Sequence, residues 1–383
     1  MAAVSVTAAA GFRAGAVASG IKPQGLDLAL VVAEDGPVPA AGLFTTNSAA
    51  AAPVQLSRRR LAGGRLQAVV LNSGCANAGT GRQGLIDADR ITKRVAAHLG
   101  AEPDHIAICS TGPIGQELPV ERILEAVPNL VADIDEEGGM RAAEAILTTD
   151  TKIKTTLVEP GGFVMGGMAK GAAMLRPDLA TMLCVLTTDA STGAPQLRYA
   201  LEEAVAGTFN SLNIDGCEST NDTVLLLASG RAPAIPEWEL VEVATEACRN
   251  LARQMAADAE GATRVVTIRI GGAPDTEAAR RYGRAVADSA LVRASFFGGD
   301  ANWGRVLAAL GTCQVDPIGV SIAYEGFCVA DQGMWYPVDE EEMAKHLTSD
   351  FVIDVVVGNG PGRAEIITTD LTPDYVRFNG DRS

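Results

Sequence analysis

Short apolar runs punctuate the chain: Leu28–Ala33, Leu66–Leu71, Ile106–Cys109, Phe163–Met168, Met182–Thr187, Thr223–Ala228, Arg264–Ile270, Ile318–Tyr324, Phe351–Val357 and Glu365–Thr368. They are rich in Val and Ile and bounded by Gly, Pro, Asn or Asp, which predicts strands. Other stretches repeat apolar residues at helical spacing. In Asp87–Leu99, for example, Ile91, Val95 and Leu99 recur every four positions. The same pattern predicts helices over Glu121–Val127, Met140–Leu147, Leu197–Phe209, Glu237–Ala259, Thr276–Ala290 and Asn302–Leu310. Pro128 is expected to end the second helix. Strands often follow one another with no helix between, so strict βαβ alternation is excluded. The pattern points to α+β or layered α/β with antiparallel pairing.

Composition narrows the class. The 383 residues allow one large domain or two ordinary ones. Aromatic residues make up only 4% of the chain, so its core must be built from closely packed Ala, Val, Leu and Ile. A net charge of −16 argues against nucleic-acid or anionic-membrane partners, which attract basic surfaces. No run of 18 apolar residues exists, and the first 22 residues are too weakly apolar for a secretory signal. The seven cysteines are odd in number and lack CxxC spacing. They are expected to be reduced, buried, small apolar residues of a cytoplasmic protein. With three scattered histidines, His98, His105 and His346, no zinc constellation is expected. Phosphate-loop and GxGxxG motifs are absent, as is a Gly-x-Ser-x-Gly elbow.

The most informative segment is KGAAMLRPDLATMLCVLTTD, Lys170 to Asp189. Here Thr181 heads an apolar strand, a poor place for a surface hydroxyl and a good place for a nucleophile. Cleavage of Ala180–Thr181 would give Thr181 an α-amine with an ordinary pKa of about 7.7–8.0. That amine can serve as the base for its own hydroxyl. Lysine is scarce, six against 25 arginines, and Lys170 sits close by in sequence. It could hold a carboxylate or tune the nucleophile, or simply end a strand. Ser110-Thr111-Gly112-Pro113-Ile114-Gly115 follows a predicted strand. Such a turn can aim N–H and O–H donors at one oxyanion, or be an ordinary loop. The run from Asn72 to Gly81 builds a pocket or a tight turn. Asn221 and Asp222 enter a buried run and need partners. Glu260 follows a long helix, where a carboxylate opposes the dipole and invites a cation. By composition alone, the tail from Tyr375 to Ser383 is expected to be disordered.

Read in order, the blocks NSGCANAGTG, STGPIG, LTTDT, GGMAKGAAMLRPDLATML, TTDA, NIDGCESTNDTVLLLASG, DAEGATR, FFGGDANWGRVLAALG and YVRFNG resemble the glutamate N-acetyltransferase / ornithine acetyltransferase family of arginine biosynthesis. The resemblance runs from about residue 11 to the end. It implies a layered sandwich of β-sheets flanked by helices, of the self-processed N-terminal-threonine nucleophile type. It also implies cleavage at Ala180–Thr181 into fragments 1–180 and 181–383, which stay together and assemble as α2β2. The implied reaction carries the acetyl group of N2-acetyl-L-ornithine through acetyl-Thr181 to L-glutamate. Acetyl-CoA is a further donor in bifunctional members, and no metal or cofactor is implied. Carried over by motif, Thr111 and Gly112 form the oxyanion hole, while Thr148, Lys170, Thr181, Glu260, Asn379 and Ser383 contact substrate. This turns the tail into part of a binding site. The chain departs from the family pattern at Cys75, Gly79, Pro113, Ala173, Gly299 and Ala301. One residue is also missing between Asp381 and Arg382, which bears on Ser383. The alternative reading is an N-terminal-nucleophile amidohydrolase or aminopeptidase, with water as acceptor.

Overall fold

The computed structural model describes residues 4–175 and 182–380. The expected cleavage-site residues Ala180 and Thr181, and Ser383, lie outside the described residues. The chain divides into two units. One draws on Met1–Gly171, Asp178–Phe209 and Glu218–Met255; the other on Ala172–Pro177, Asn210–Cys217 and Ala256–Ser383.

In chain order the elements up to residue 257 are β1 (Phe12–Val17), β2 (Leu28–Ala33), β3 (Val38–Phe44), α1 (Ala52–Arg60), β4 (Arg65–Leu66), β5 (Ala68–Ser73), α2 (Gly81–Leu99), β6 (Ile106–Thr111), α3 (Val120–Ala132), α4 (Gly139–Ala145), β7 (Lys154–Val158), β8 (Met165–Lys170), β9 (Leu183–Thr188), α5 (Ala194–Ala206), β10 (Thr223–Ala228) and α6 (Glu237–Ala257). Two sheets form within the first unit, ordered β1-β2-β5-β6 and β4-β3-β10-β9-β8-β7. Their facing sides share one core, with Val31, Val69, Leu71 and Ala107 packed with Met168, Val185, Leu225 and Leu227. On the outer face of the first sheet, Leu28, Leu30, Val70 and Ile108 pack with Ile91 and Val95 of α2 and Ile123 and Val127 of α3. The strands of the first sheet are therefore buried on both faces. That is why LALVVA reads as a continuous apolar run instead of an alternation. A register slip of one residue would exchange the leucines of β2 with the smaller side chains of the opposite face.

Pro128 does not end its helix. It lies inside α3, which continues to Ala132. The carbonyl of Leu124, which an ordinary residue 128 would have engaged, instead accepts a long hydrogen bond of 3.4 Å from Arg94 Nε.

Next come β11 (Val265–Ala273), α7 (Thr276–Asp288), α8 (Ala290–Gly298), α9 (Trp303–Gly311), β12 (Ser321–Tyr324), β13 (Phe327–Asp331), β14 (Met334–Trp335), α10 (Glu340–His346), β15 (Phe351–Val356), β16 (Gly362–Thr369) and α11 (Pro373–Gly380). The second unit's sheet runs β14-β13-β12-β15-β11-β16. Val266, Ile268, Ile353, Val355 and Ile366 pack with Val286, Val292, Phe296 and Val306 of its helices. The alternate positions carry polar groups, with Arg269 paired to Glu365 at 3.3 Å. Asp275, Ser289, Asn302 and Asp339 cap α7 to α10 by accepting an N–H of the first turn.

The observed architecture is layered α/β with mixed pairing, as the patterns predict. Two expectations need correction. The tail is helical through Gly380 in α11, not disordered. None of the cysteines is in a disulfide among the described residues, but only Cys75, Cys109, Cys184 and Cys248 are buried; Cys217 is exposed.

Candidate active site

Three strand ends build the site of the first unit. Strands β5 and β6 run parallel with Ser73 opposite Thr111, so the loops after them leave side by side. Their backbones are stitched together: Gly74 N–H donates to Thr111 O at 2.8 Å and Gly115 N–H to Ala78 O at 2.9 Å. The polar runs flagged in sequence brace this junction. Ser110 Oγ donates to Asn72 Oδ1 at 2.6 Å, and Asn221 Nδ2 reaches Ala76 O and Ser110 O at 2.7 and 2.9 Å. Asn221 therefore acts as a brace between loops, as its buried position required.

Gly112 sits where these loops touch, with φ +137°. A Cβ there would stand 2.5 Å from Cys75 N, so any side chain would force the loops apart. Among the described residues its N–H makes no hydrogen bond. Burial pushes the Cys75 thiol up, against the effect of the Asn77 amide. It is a packing group of this loop.

Lys170, the last residue of β8, is buried and supplies the charge. Its Nζ donates to Thr148 Oγ1 at 2.6 Å and to Thr111 Oγ1 at 3.3 Å. Asp150 anchors it from behind, Oδ2 to Nζ at 3.6 Å. Asp150 Oδ1 accepts from Lys154 Nζ at 2.8 Å and from Gly171 N–H at 2.7 Å. Burial opposes the charge on this carboxyl. The Lys170 and Lys154 charges and the hydrogen bonds from Lys154 and Gly171 outweigh it and bring its pKa down to about 2. Lys22, half-buried, donates to Leu147 O at 3.2 Å beside Thr148; burial lowers its pKa, against the pull of Asp27.

A hydroxyl has one proton to give. Because Thr111 Oγ1 accepts from Lys170, its own proton remains available to a third group. That proton and the Gly112 N–H are the kind of paired donors an oxyanion needs.

Asp150 is the functional residue the sequence reading missed. It stands in the quoted run LTTDT, but an aspartate after two threonines looks like any turn. The available signal was the pairing of two of only six lysines, Lys154 and Lys170, with buried strands.

The second unit holds Glu260 and Asn379. Glu260 follows α6 by three residues, its N–H donates to Ala172 O at 2.9 Å, and its Oε2 is buried with no hydrogen-bond partner among the described residues. A buried carboxylate oxygen left open is costly, and a cation would satisfy it. Gly261, at φ +65°, lies so close to Tyr375 that a Cβ would collide with its backbone N. Thr372 Oγ1 donates to Gly261 O at 2.6 Å. These contacts dock the start of α11 against the turn carrying Glu260. Asn379 lies on α11, exposed, with Nδ2 on Tyr375 O at 3.0 Å. So the structure brings Thr111, Gly112, Thr148 and Lys170 together in one unit, and it seats Glu260 and Asn379 in the other. Among the described residues no cluster of His, Cys, Asp or Glu could hold a metal, and no helix is long and apolar enough to cross a membrane.

A buried lysine joined to two threonine hydroxyls at strand ends of a layered α/β fold is a polar site in an enzyme of the acyltransferase class. The family model described as ArgJ family matches residues 13–383, and the chain belongs to that family. The chain is 46% identical over 380 residues to the arginine biosynthesis bifunctional protein ArgJ of Thermobifida fusca, covering 98% of this chain and 99% of that one. It is 46% identical over 386 residues to the protein of the same name from Mycobacterium tuberculosis, covering 98% and 95%. Among solved structures, it is similar to the ornithine acetyltransferase complexed with ornithine from M. tuberculosis. There the identity is 42% and the TM-score 0.43, covering 48% of this chain and 98% of that one.

Proposed function

We propose that this ArgJ-family chain is a self-cleaving acetyltransferase of arginine biosynthesis, moving the acetyl group of N2-acetyl-L-ornithine to L-glutamate. The observation that carries the reading is Lys170 bound to both Thr111 and Thr148, beside the Gly112 N–H, which has no hydrogen-bond partner among the described residues.

Cleavage at Ala180–Thr181 gives Thr181 its α-amine. The amine takes the Oγ proton as Oγ attacks the acetyl carbonyl. The oxygen of that carbonyl becomes an oxyanion, received by Thr111 O–H and Gly112 N–H; one such donor contributes about 2.7–4 kcal/mol. The amine returns the proton to the departing nitrogen, and ornithine leaves acetyl-Thr181 behind. The glutamate α-amine then attacks the ester, loses its proton to the Thr181 amine, and leaves as N-acetylglutamate with Thr181 restored. Lys170 and Thr148 receive substrate polar groups, and Glu260 meets the ornithine side-chain ammonium. Asn379 and Ser383 complete recognition.

Cutting need not separate the fragments. In the six-stranded sheet, β9 and β10 of the second fragment lie between β8 and β3 of the first, in register over Met165–Lys170 and Ala40–Phe44. The paired fragments assemble further as α2β2 in the cytoplasm.

The test is Thr181→Ala, followed by intact mass and by acetylglutamate formation. One uncut, inactive chain is expected. A variant that is cut and active refutes the proposal. Acetate in place of acetylglutamate from the wild-type protein would favour the hydrolase reading instead.

A further inference from the structure

Among the described residues of the first unit, Asp222 is the one carboxyl that burial leaves half used. It is fully buried at the entry to β10. Oδ1 accepts from Met182 N–H at 2.8 Å. Oδ2 is buried and has no hydrogen-bond partner among the described residues. No cation among them lies within ion-pair distance. Buried polar atoms without partners are uncommon, and each calls for an explanation.

Covalent geometry supplies one. Met182 N is bonded to the carbonyl carbon of Thr181. Asp222 therefore holds the N–H of the peptide unit that directly follows the proposed nucleophile in the chain. An anion on that peptide unit would favour the charged form of an amine on the residue before it. The amine has to be uncharged to act as a base.

We propose that Asp222 is a positioning residue for the Thr181 nucleophile: it holds the amide of Met182, the residue bonded to Thr181, through an acceptor oxygen that needs no charge to do so. The inference rests on the acetyltransferase reading above. The surroundings agree. Burial pushes the Asp222 carboxyl well above the usual carboxylate range. The Met182 amide, the Lys170 charge and the Ser219 amide, which faces it outside hydrogen-bond geometry, pull the other way, and Glu218 pushes with burial. A carboxyl group keeps its acceptor when protonated, so the Met182 bond survives the loss of charge.

Two variants of the full chain test this: Asp222→Asn, which preserves shape and acceptor and cannot ionise, and Asp222→Ala, which removes the acceptor. Cleavage is followed by intact mass, and transfer from N-acetylornithine to glutamate by pH–rate profiles. Asp222→Ala is expected to lose at least about tenfold in kcat with KM values for both substrates in place, because Asp222 acts through Thr181 and touches no substrate. Asp222→Asn is expected to recover at least about tenfold over Asp222→Ala, with the acid limb of kcat/KM at the wild-type pH, since that limb reports the free enzyme's base. A wild-type-like Asp222→Ala overturns the proposal. So does an Asp222→Asn chain that stays uncut, or one whose acid limb falls by about one pH unit, the mark of an anion removed from beside the amine. If Asp222→Ala does not fold, the Asn variant decides alone by its cleavage and acid limb. Failure of the wild-type chain to be cut at 180–181 would refute the acetyltransferase reading instead.

Discussion

Replacing Asp150 by Asn removes the anion that two buried lysines share. Lys154 Nζ lies 2.8 Å from Oδ1 and Lys170 Nζ 3.6 Å from Oδ2, with all three side chains nearly inaccessible. The carboxyl falls from an ordinary 3.8 to about 2. At about 1.4 kcal/mol per tenfold in proton affinity, that is about 2 kcal/mol of stability at neutral pH. Because the folded-state value is the lower one, the contribution is full above pH ~4 and disappears as pH falls through ~2. At pH 2.5 less than about 1 kcal/mol remains. Leaving the lysines unneutralised adds to the cost, since breaking a buried pair typically costs about 3–5 kcal/mol. The Asp150→Asn chain is therefore expected to be about 2–5 kcal/mol less stable at pH 7, with the gap narrowing by about 2 kcal/mol at pH 2.5. Hydrogen exchange of the Met165–Lys170 amides over a urea series reads the opening of this sheet directly. Adding Lys154→Met should recover part of the loss. A gap equal at both pH values, or below about 0.5 kcal/mol at pH 7, would refute the assignment of Asp150 as the charge anchor.

Gly112→Ala should fold but lose about 10²–10³ in kcat, because a Cβ 2.5 Å from Cys75 N displaces the N–H proposed to receive the oxyanion; activity within about threefold of wild type would exclude that N–H as a donor. Glu260→Gln should weaken ornithine binding about 10- to 100-fold, the worth of a charged hydrogen bond of about 1.5–3 kcal/mol, while changing glutamate binding little. Titration calorimetry with each amino acid separates the two, and equal losses would count against the ammonium assignment.

Much of this was legible in the chain. LALVVA is apolar at every position and TVLLLA at every position but its first, and the structure buries both of their faces. Beside the short β13 and β14, the strands that escaped notice are diluted ones. FRAGAV of β1 and VPAAGLF of β3 carry Gly, Ala or Pro, and KTTLV of β7 is half polar, yet their partners in the sheet hold them. Propensity is a weak prior where cross-strand packing decides. Pro128 was misjudged for the same reason, since tertiary contacts support the helix around it. The tail was misjudged because eight residues cannot hold a helix alone, whereas docking of Tyr375 against Gly261 can.

By itself the sequence determined the strongly apolar strands, the periodic helices, the nucleophile candidate and the motif order, because those depend on side-chain identity and on periods of two or 3.6 residues. Tertiary structure decided who meets whom. Lys170 reaches Thr111 across 59 positions and Thr148 across 22, and Asp150 meets Gly171 across 21. No local rule encodes such separations. They arise when strand ends from different parts of the chain are brought to one edge of the sheets, and only then does a buried charge acquire the partners that set its pKa.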